Sequence, residues 1–378
     1  MRKLDLSEWD VSNVTNTSDV FRGCICLETV DATGWNLSKN LYMTNMFYDC
    51  RKLVSVEGIS EWGISAVTAM QGTFAYCGSL KGGMNLSEWN TENLTSTYDM
   101  FNGCTCLESL NLSSWNVEKL TTTSRMFYNC WNLRSLNLDG WDFKSSGKLT
   151  NMSNMFQGCF SLEEVNLSGW DVSKVTNMYT LFDSCYSLTE IDLTGWDFSS
   201  ATNLILMFGS CANLRRIRLD GTTFGNGSIS MQQMFTSCIS LEEIDVSDWN
   251  TGFVTNMVYM FGSCRSLRSI DISQWDMSRV TSASNMFDSC TSLQSIKMPN
   301  VSTVYSSQFQ YCNSCLLYDF RKCTSVPSLA STGAFNGINA NAYIVVPDSL
   351  YSSWIAASNW SNNAIKSHII SVSDYEAL

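Results

Sequence analysis

The groups with the widest chemical reach in this chain are its 16 cysteines. Thiolates ligate zinc, exchange disulfides and attack electrophiles, and spacing and neighbours decide which. One cluster has the spacing of a metal or redox site, Cys312-x-x-Cys315 with Cys323, but no fourth ligand accompanies it, and a structural zinc takes four. The single histidine, His368, has no cysteine, serine or metal motif beside it, so it reads as a packing or surface residue near the C-terminus. Glu163/Glu164 and Glu242/Glu243 are paired carboxylates, placed where a strand face would leave them solvated. No Gly-rich phosphate loop, H-E-x-x-H or G-x-S-x-G occurs. The chain is therefore expected to be no enzyme and to hold no metal and no cofactor.

Position accounts for most of the cysteines. Twelve stand three residues after a phenylalanine, from Phe21/Cys24 to Phe309/Cys312, with successive Phe 26, 27, 27, 26, 29, 26, 26, 27, 26, 26 and 22 residues apart. A fixed period of this length marks a stack of supersecondary units, none of which buries its apolar face alone. The twelve thiols then form one inward column and serve as small hydrophobes. Stacked coils lie about 4.8 Å apart with side chains parallel, a poor geometry for disulfides along the column. Cys26 and Cys106 replace the serine usual two places after the column cysteine.

Each coil divides into recognisable parts. Leu107-x-x-Leu110-x-Leu112-x-x-Trp115-x-Val117 has leucine-rich-repeat spacing, repeated from Leu162 and from Leu188. The L-x-L alternation predicts a short strand. Upstream, Leu149, Met152, Phe156, Cys159 and Leu162 recur every three or four residues, which predicts one face of a short helix. The ninth place carries Trp9, Trp35, Trp115, Trp141, Trp170, Trp196, Trp249 and Trp275; Trp62 and Trp89 follow a one-residue insertion, and the ninth coil substitutes Phe224, two residues late. An indole N–H can donate to a neighbouring coil as an asparagine does, while its ring fills a wide coil. A buried tryptophan column is expected.

Segments such as Leu167-Ser168-Gly169-Trp170-Asp171-Val172-Ser173-Lys174-Val175-Thr176-Asn177-Met178, followed by Leu181-Phe182-Asp183-Ser184-Cys185-Tyr186-Ser187-Leu188, resemble the BspA-like leucine-rich repeats of bacterial surface proteins and mycoplasma lipoproteins. The resemblance spans roughly residues 4 to 298 and supplies no catalytic residues. It implies display at the cell surface or outside the cell, and adhesion to a host or bacterial surface protein or a glycan. Two alternatives stand beside it: a receptor-binding component of a phage particle, and a structural spacer carrying another domain.

The fold class expected is an α/β repeat solenoid: a right-handed leucine-rich-repeat superhelix of about twelve coils with a period of about 26 residues, a parallel strand face opposite short helices, and a C-terminal cap. Residues 1–298 form the solenoid, 299–323 a degenerate last coil, and 324–378 the cap. All three prolines lie at or beyond Pro299. Tyr343-Ile344-Val345-Val346 reads as a strand, and an amphipathic helix is expected to start at Asp348 or Ser349. The first coil begins at core residue Leu4, so a missing N-terminal segment or a neighbouring chain is expected to cover it.

Charge narrows the partners. With 23 Lys and Arg against 35 Asp and Glu, the net charge is −12, which disfavours nucleic acid because phosphate binding rests on clustered positive charge. No apolar run is long enough for a membrane span. Two columns remain as candidate ligand-binding surfaces. Immediately after the column cysteine, three successive coils carry Trp131, Phe160 and Tyr186, outside the inward stripe and so at or near the surface. On the strand face, the outward place reads Asn111, Asn137, Asn166 and Asp192 through the middle coils, within a longer acidic and amide column. Like charges 4 to 5 Å apart repel by about 1 kcal/mol in water, which the asparagines relieve. A hydrogen-bonded side-chain ladder between strands is expected there. Alternatively, the column is a polar strip for a basic protein patch, a glycan or cations.

Overall fold

The computed structural model describes residues 2–82, 84–144, 147–225 and 227–378. The fold is a parallel β-solenoid of about 14 turns with a period of about 26 residues. It divides into two compact units, Met1–Asp192 with Trp196–Phe198, and Leu193–Gly195 with Ser199–Leu378.

In the first unit, strands Lys3–Asp5, Thr29–Asp31 and Ser55–Glu57 pair in parallel and in register, as do Met84–Asn85, Ser109–Asn111 and Ser135–Asn137. The centre of each strand is apolar, as L-x-L requires. In the second unit, Ser269–Asp271, Ser295–Lys297, Leu317–Asp319, Tyr343–Val346 and Ile369–Ser371 form one parallel sheet. The region expected to act as a separate cap therefore continues the strand face, which is why the turns outnumber the twelve Phe–Cys units. Its short helices, Tyr351–Ala356, Asn363–Lys366 and Val372–Glu376, and its fully buried Trp354 and Trp360 then close the end. Trp360 Nε1 donates to the Pro327 carbonyl at 2.8 Å, and His368 Nδ1 lies 2.9 Å from the Ala342 carbonyl.

The expected helix opposite the strands is built differently. In the second coil, Met43, Met46, Phe47, Cys50 and Leu53 are all fully buried, yet no α-helix forms there. The N–H groups of Met46, Tyr48 and Cys50 bond to carbonyls three residues back, at 3.0–3.3 Å, within linked turns. Those of Met43, Asn45, Phe47 and Asp49 instead bond to the next coil, on Ala69, Gln71, Thr73 and Ala75, at 2.8–2.9 Å. Left-handed Asn45 (φ 54°) and Asp49 (φ 61°) interrupt any helix every four residues, a conformation that asparagine, aspartate and glycine reach at least cost. Linked four-residue turns and a helix put apolar side chains at the same spacing, so periodicity alone cannot separate them.

Three inward columns join the coils. The phenylalanines stack, with Phe47–Phe74 centroids 5.4 Å apart and planes within 5°, and Phe208–Phe235 at 5.6 Å and 1°. The thiols do more than fill space: Cys50 donates to the Phe21 carbonyl (3.0 Å), Cys104 to Phe74 and Cys130 to Phe101 (both 3.1 Å), and in the second unit Cys264 to Phe235 and Cys290 to Phe261 (both 3.1 Å). Burial pushes the Cys50 and Cys264 thiols up to about 12, so they stay neutral donors. The column's first member departs from expectation. Cys24 is exposed, with Cys26 and Cys106, and Trp9 is 62% exposed because no described coil precedes it.

The tryptophans are a third column. Trp35, Trp89, Trp115 and Trp141 donate from Nε1 to carbonyls of the preceding coil (Leu6, Ile59, Leu86 and Leu112) at 2.8–3.0 Å, and Trp62 donates to Ala32 at 3.3 Å. Their rings stack from Trp35 to Trp141 at 5.6–6.3 Å. Outside these columns, Thr95, Thr121, Thr150 and Thr176 each send both the backbone N–H and the hydroxyl to the threonine carbonyl one coil back, at 2.9–3.3 Å.

Candidate binding surface

Trp131, Phe160 and Tyr186 form one stacked strip. Trp131 and Phe160 centroids are 5.9 Å apart with planes at 12°, and Phe160 and Tyr186 are 5.0 Å apart at 14°. Trp131 is 45% exposed and Tyr186 43%, with Phe160 half-buried between them. Backbone bonds set the spacing: Ser161 N–H donates to the Trp131 carbonyl and Ser187 N–H to the Phe160 carbonyl, both at 3.1 Å. The rings therefore pack on one another and still present a surface. A stacked strip has little rotamer freedom left to lose on contact with a ligand.

The strand-face column behaves otherwise than expected. Asn111 Oδ1 accepts from Ser113 N–H at 3.0 Å, Asn137 Oδ1 from Asp139 N–H at 2.9 Å, and Asn166 Oδ1 from the Ser168 N–H and hydroxyl at 3.1 and 2.8 Å. The oxygen caps the turn after its own strand and does not link strands. The same device recurs after the tryptophan, where Asn116 Oδ1 accepts from Glu118 N–H, and before the turn run, where Asn151 Oδ1 accepts from Ser153 N–H. The repeat consensus of aspartate, asparagine and serine is thus largely a set of corner turns. Cross-coil bonds also occur, from Asn166 Nδ2 to Asp139 Oδ1 at 3.5 Å and, in the second unit, from Lys297 Nζ to Asp271 Oδ2 at 2.8 Å.

Asn137 and Asn166 do meet, in an opening of about 320 Å³ that Glu164 also lines. It lies where residues 163–167 form no strand. Asn111 is not part of its lining. Asp192 ends its own strand, Glu190–Asp192. In each coil the aromatic place precedes the strand place by six residues (Trp131 and Asn137, Phe160 and Asn166, Tyr186 and Asp192), so the two columns run side by side on adjoining sides of the coil.

An aromatic and basic patch on the first unit was not singled out from sequence. Tyr48 and Tyr76 meet edge to face at 5.3 Å, and Arg22 lies 4.9 Å over the Tyr48 ring. Arg125 lies 4.6 Å over Tyr128 and holds Asp99 at 2.8 Å. Gly103 is glycine for this reason: its φ is +71°, and a Cβ there would sit 2.9 Å from the Tyr76 ring. The available signal was tyrosine recurring one or two places after the column phenylalanine. The cysteine cluster resolves into separate contacts, with Cys312 donating to Phe287, Cys315 to Leu317 and Cys323 to Pro299 carbonyls at 3.1, 3.4 and 3.8 Å.

A family model described as "Mycoplasma protein of unknown function, DUF285" matches residues 2–56, 51–149, 135–220 and 226–316. The chain belongs to this family, and its repeat is of the BspA-like leucine-rich class. No curated protein matches the sequence. Among solved structures, the chain is similar to a leucine-rich cell surface protein of Faecalibacterium prausnitzii, with 18% identity over 84% of this chain and 87% of that one and a TM-score of 0.38. A leucine-rich repeat protein of Bacteroides ovatus matches at 14% identity over 98% and 92%, with a TM-score of 0.40. One of Eubacterium ventriosum matches at 16% over 87% and 82%, also with a TM-score of 0.40. Among the described residues, no helix is long and apolar enough to cross a membrane.

Proposed function

We propose that the chain is a surface-displayed adhesin-type binding module that recognises a protein or glycan through the strip Trp131–Phe160–Tyr186 and the adjoining polar column. The observation that carries this reading is three rings held parallel at 5.9 and 5.0 Å, with the two outer ones more than 40% exposed. Aromatic side chains dominate binding hot spots because they bury large areas at low entropic cost, and flat faces also suit sugar rings. Asn137 and Asn166 supply polar groups around the corner of the same coils.

Replacing Trp131, Phe160 and Tyr186 together by alanine tests it. On a combined glycan and extracellular-matrix array, the wild-type signal is expected to fall at least about tenfold, since loss of one good hot spot costs about 2 kcal/mol. Circular dichroism melts check that the variant is folded. Unchanged array binding by a folded triple variant rules the strip out.

A further inference from the structure

One dipeptide occurs at the same place in two coils and meets two different environments. Directly after the column phenylalanine, the fourth coil carries Asn102-Gly103 and the last turn run carries Asn336-Gly337. Asn226-Gly227 also occurs in the sequence, and Asn226 lies outside the described residues. Asparagine followed by glycine can rearrange without an enzyme: the glycine nitrogen, uncrowded by any Cβ on its own residue, attacks the asparagine Cγ. That reaction needs a free backbone nitrogen, a free side chain and a peptide able to turn.

The stack ties that nitrogen down. Two residues after the phenylalanine, the N–H donates to the following coil, as Gly103 does to Tyr128, Gly158 to Asp183, Ser289 to Gln310 and Tyr311 to Asn336, at 2.7–2.9 Å. Phe335 closes the phenylalanine column, stacked on Phe309 at 5.2 Å and packed against Trp360 at 5.7 Å. Short helices follow it in place of another turn run. Among the described residues nothing accepts the Gly337 N–H.

The two asparagines differ as much as the two nitrogens. Asn102 is 1% exposed, and its Nδ2 donates to Asp99 Oδ1 at 2.9 Å and to the Tyr76 hydroxyl at 3.4 Å. Its carbonyl accepts the Tyr76 N–H at 2.6 Å. Asn336 and Gly337 are both exposed. The Asn336 backbone has ψ 128°, and its carbonyl accepts the Tyr311 N–H at 2.7 Å, so ring closure requires this peptide to turn about Cα–C and release that one bond. Asn102 would have to leave the core and give up its whole set of bonds. Opening a surface turn costs far less than opening a packed coil.

We propose that Asn336 is a site of spontaneous modification. The Gly337 nitrogen loses its proton to solvent and bonds to Asn336 Cγ, the side-chain nitrogen leaves as ammonia, and water then opens the cyclic imide at either carbonyl, giving aspartate or isoaspartate. One water is consumed and one ammonia released. Either product adds a negative charge, and isoaspartate also lengthens the main chain by one carbon beside Phe335. The proposal involves no ligand and stands apart from the aromatic strip.

Incubation of the whole chain in neutral buffer at physiological temperature, sampled over days and mapped by tandem mass spectrometry, provides the test. Electron-transfer fragmentation separates isoaspartate from aspartate. The peptide carrying Asn336 is expected to show conversion of amide to acid, mostly as isoaspartate, at least about tenfold faster than the peptide carrying Asn102. In guanidinium, where the fold protects neither site, the two are expected to convert at similar rates. Asn336→Gln, on the exposed face of the turn, is expected to remove the signal at that position with an unchanged circular dichroism spectrum. An Asn336 that stays intact in the native chain, or that converts no faster there than Asn102, overturns the proposal.

Discussion

Around Trp115 the indole ladder is closed, and around Trp249 it is open. Trp115 donates to Leu86 at 2.8 Å, and its rings stack at 6.1 Å on both Trp89 and Trp141. Trp249 meets a tilted Phe224, keeps a buried N–H unpaired, and borders a cavity. The coil before Trp115 carries Trp89, whereas the coil before Trp249 carries Thr222 in that place, with Phe224 two residues on. In this fold a coil's polar groups are satisfied by the coil beside it, and the pairing is not uniform, since Trp196 Nε1 is also buried and unpaired although Trp170 stands in the coil before it.

Alkali is expected to break the closed coils with the largest effect. An unfolded thiol ionises near 9, but burial holds Cys50 and Cys264 up to about 12 and lifts Cys104, Cys130 and Cys290 well above the ordinary thiol range. Between those limits the unfolded chain binds fewer protons than the folded one. Stability is therefore intact below about pH 8 and falls as pH rises beyond 9, by up to about 1.4 kcal/mol per pH unit for each buried thiol. Guanidinium midpoints measured across that window check it, and alanine at Cys104 and Cys130 should make the decline shallower.

Next in size is the contrast between Trp115→Ala and Thr222→Ala. Trp115 is 1% exposed and joins two neighbours, so its truncation is expected to cost about 3–5 kcal/mol. Thr222 already borders a void and its hydroxyl is unpaired, so its truncation should cost under about 1 kcal/mol. Equal losses in denaturant titrations would mean that the two coils are packed alike.

The finest comparison isolates the indole hydrogen bond. Trp115→Phe and Trp249→Phe remove similar ring area, but only the first breaks a bond to a carbonyl. Trp115→Phe should therefore be the more destabilising by about 1 kcal/mol, read as the difference in unfolding free energy. A reversed order would place an acceptor on Trp249 that the geometry denies.

The Phe–Cys period of about 26 residues, the strand at L-x-L, the buried tryptophan column and the strand Tyr343–Val346 were all legible in the residues, because each is a spacing in one dimension. The indole as a donor to a neighbouring coil was legible too, and the structure shows that coil to be the preceding one. The helix was not: the cross-coil bonds of Met43, Asn45, Phe47 and Asp49 use a partner 26 residues away, and left-handed residues interrupt what periodicity suggests. The strand-face asparagines were placed correctly on the surface, but their oxygens turned back into local corners, since a backbone N–H two residues on is nearer than the next strand's side chain. The cavity at Thr222 was hinted at only by the late Phe224.

Sequence by itself determined the repeat and, beyond the first coil with its exposed Trp9 and Cys24, which side chains face inward, because apolar burial demands the same pattern from every coil. Tertiary structure alone decided where each polar hydrogen goes. Those choices depend on distances between coils far apart in the chain, and they set which rings stand exposed at Trp131 and Tyr186 and which donor is left unpaired at Trp249.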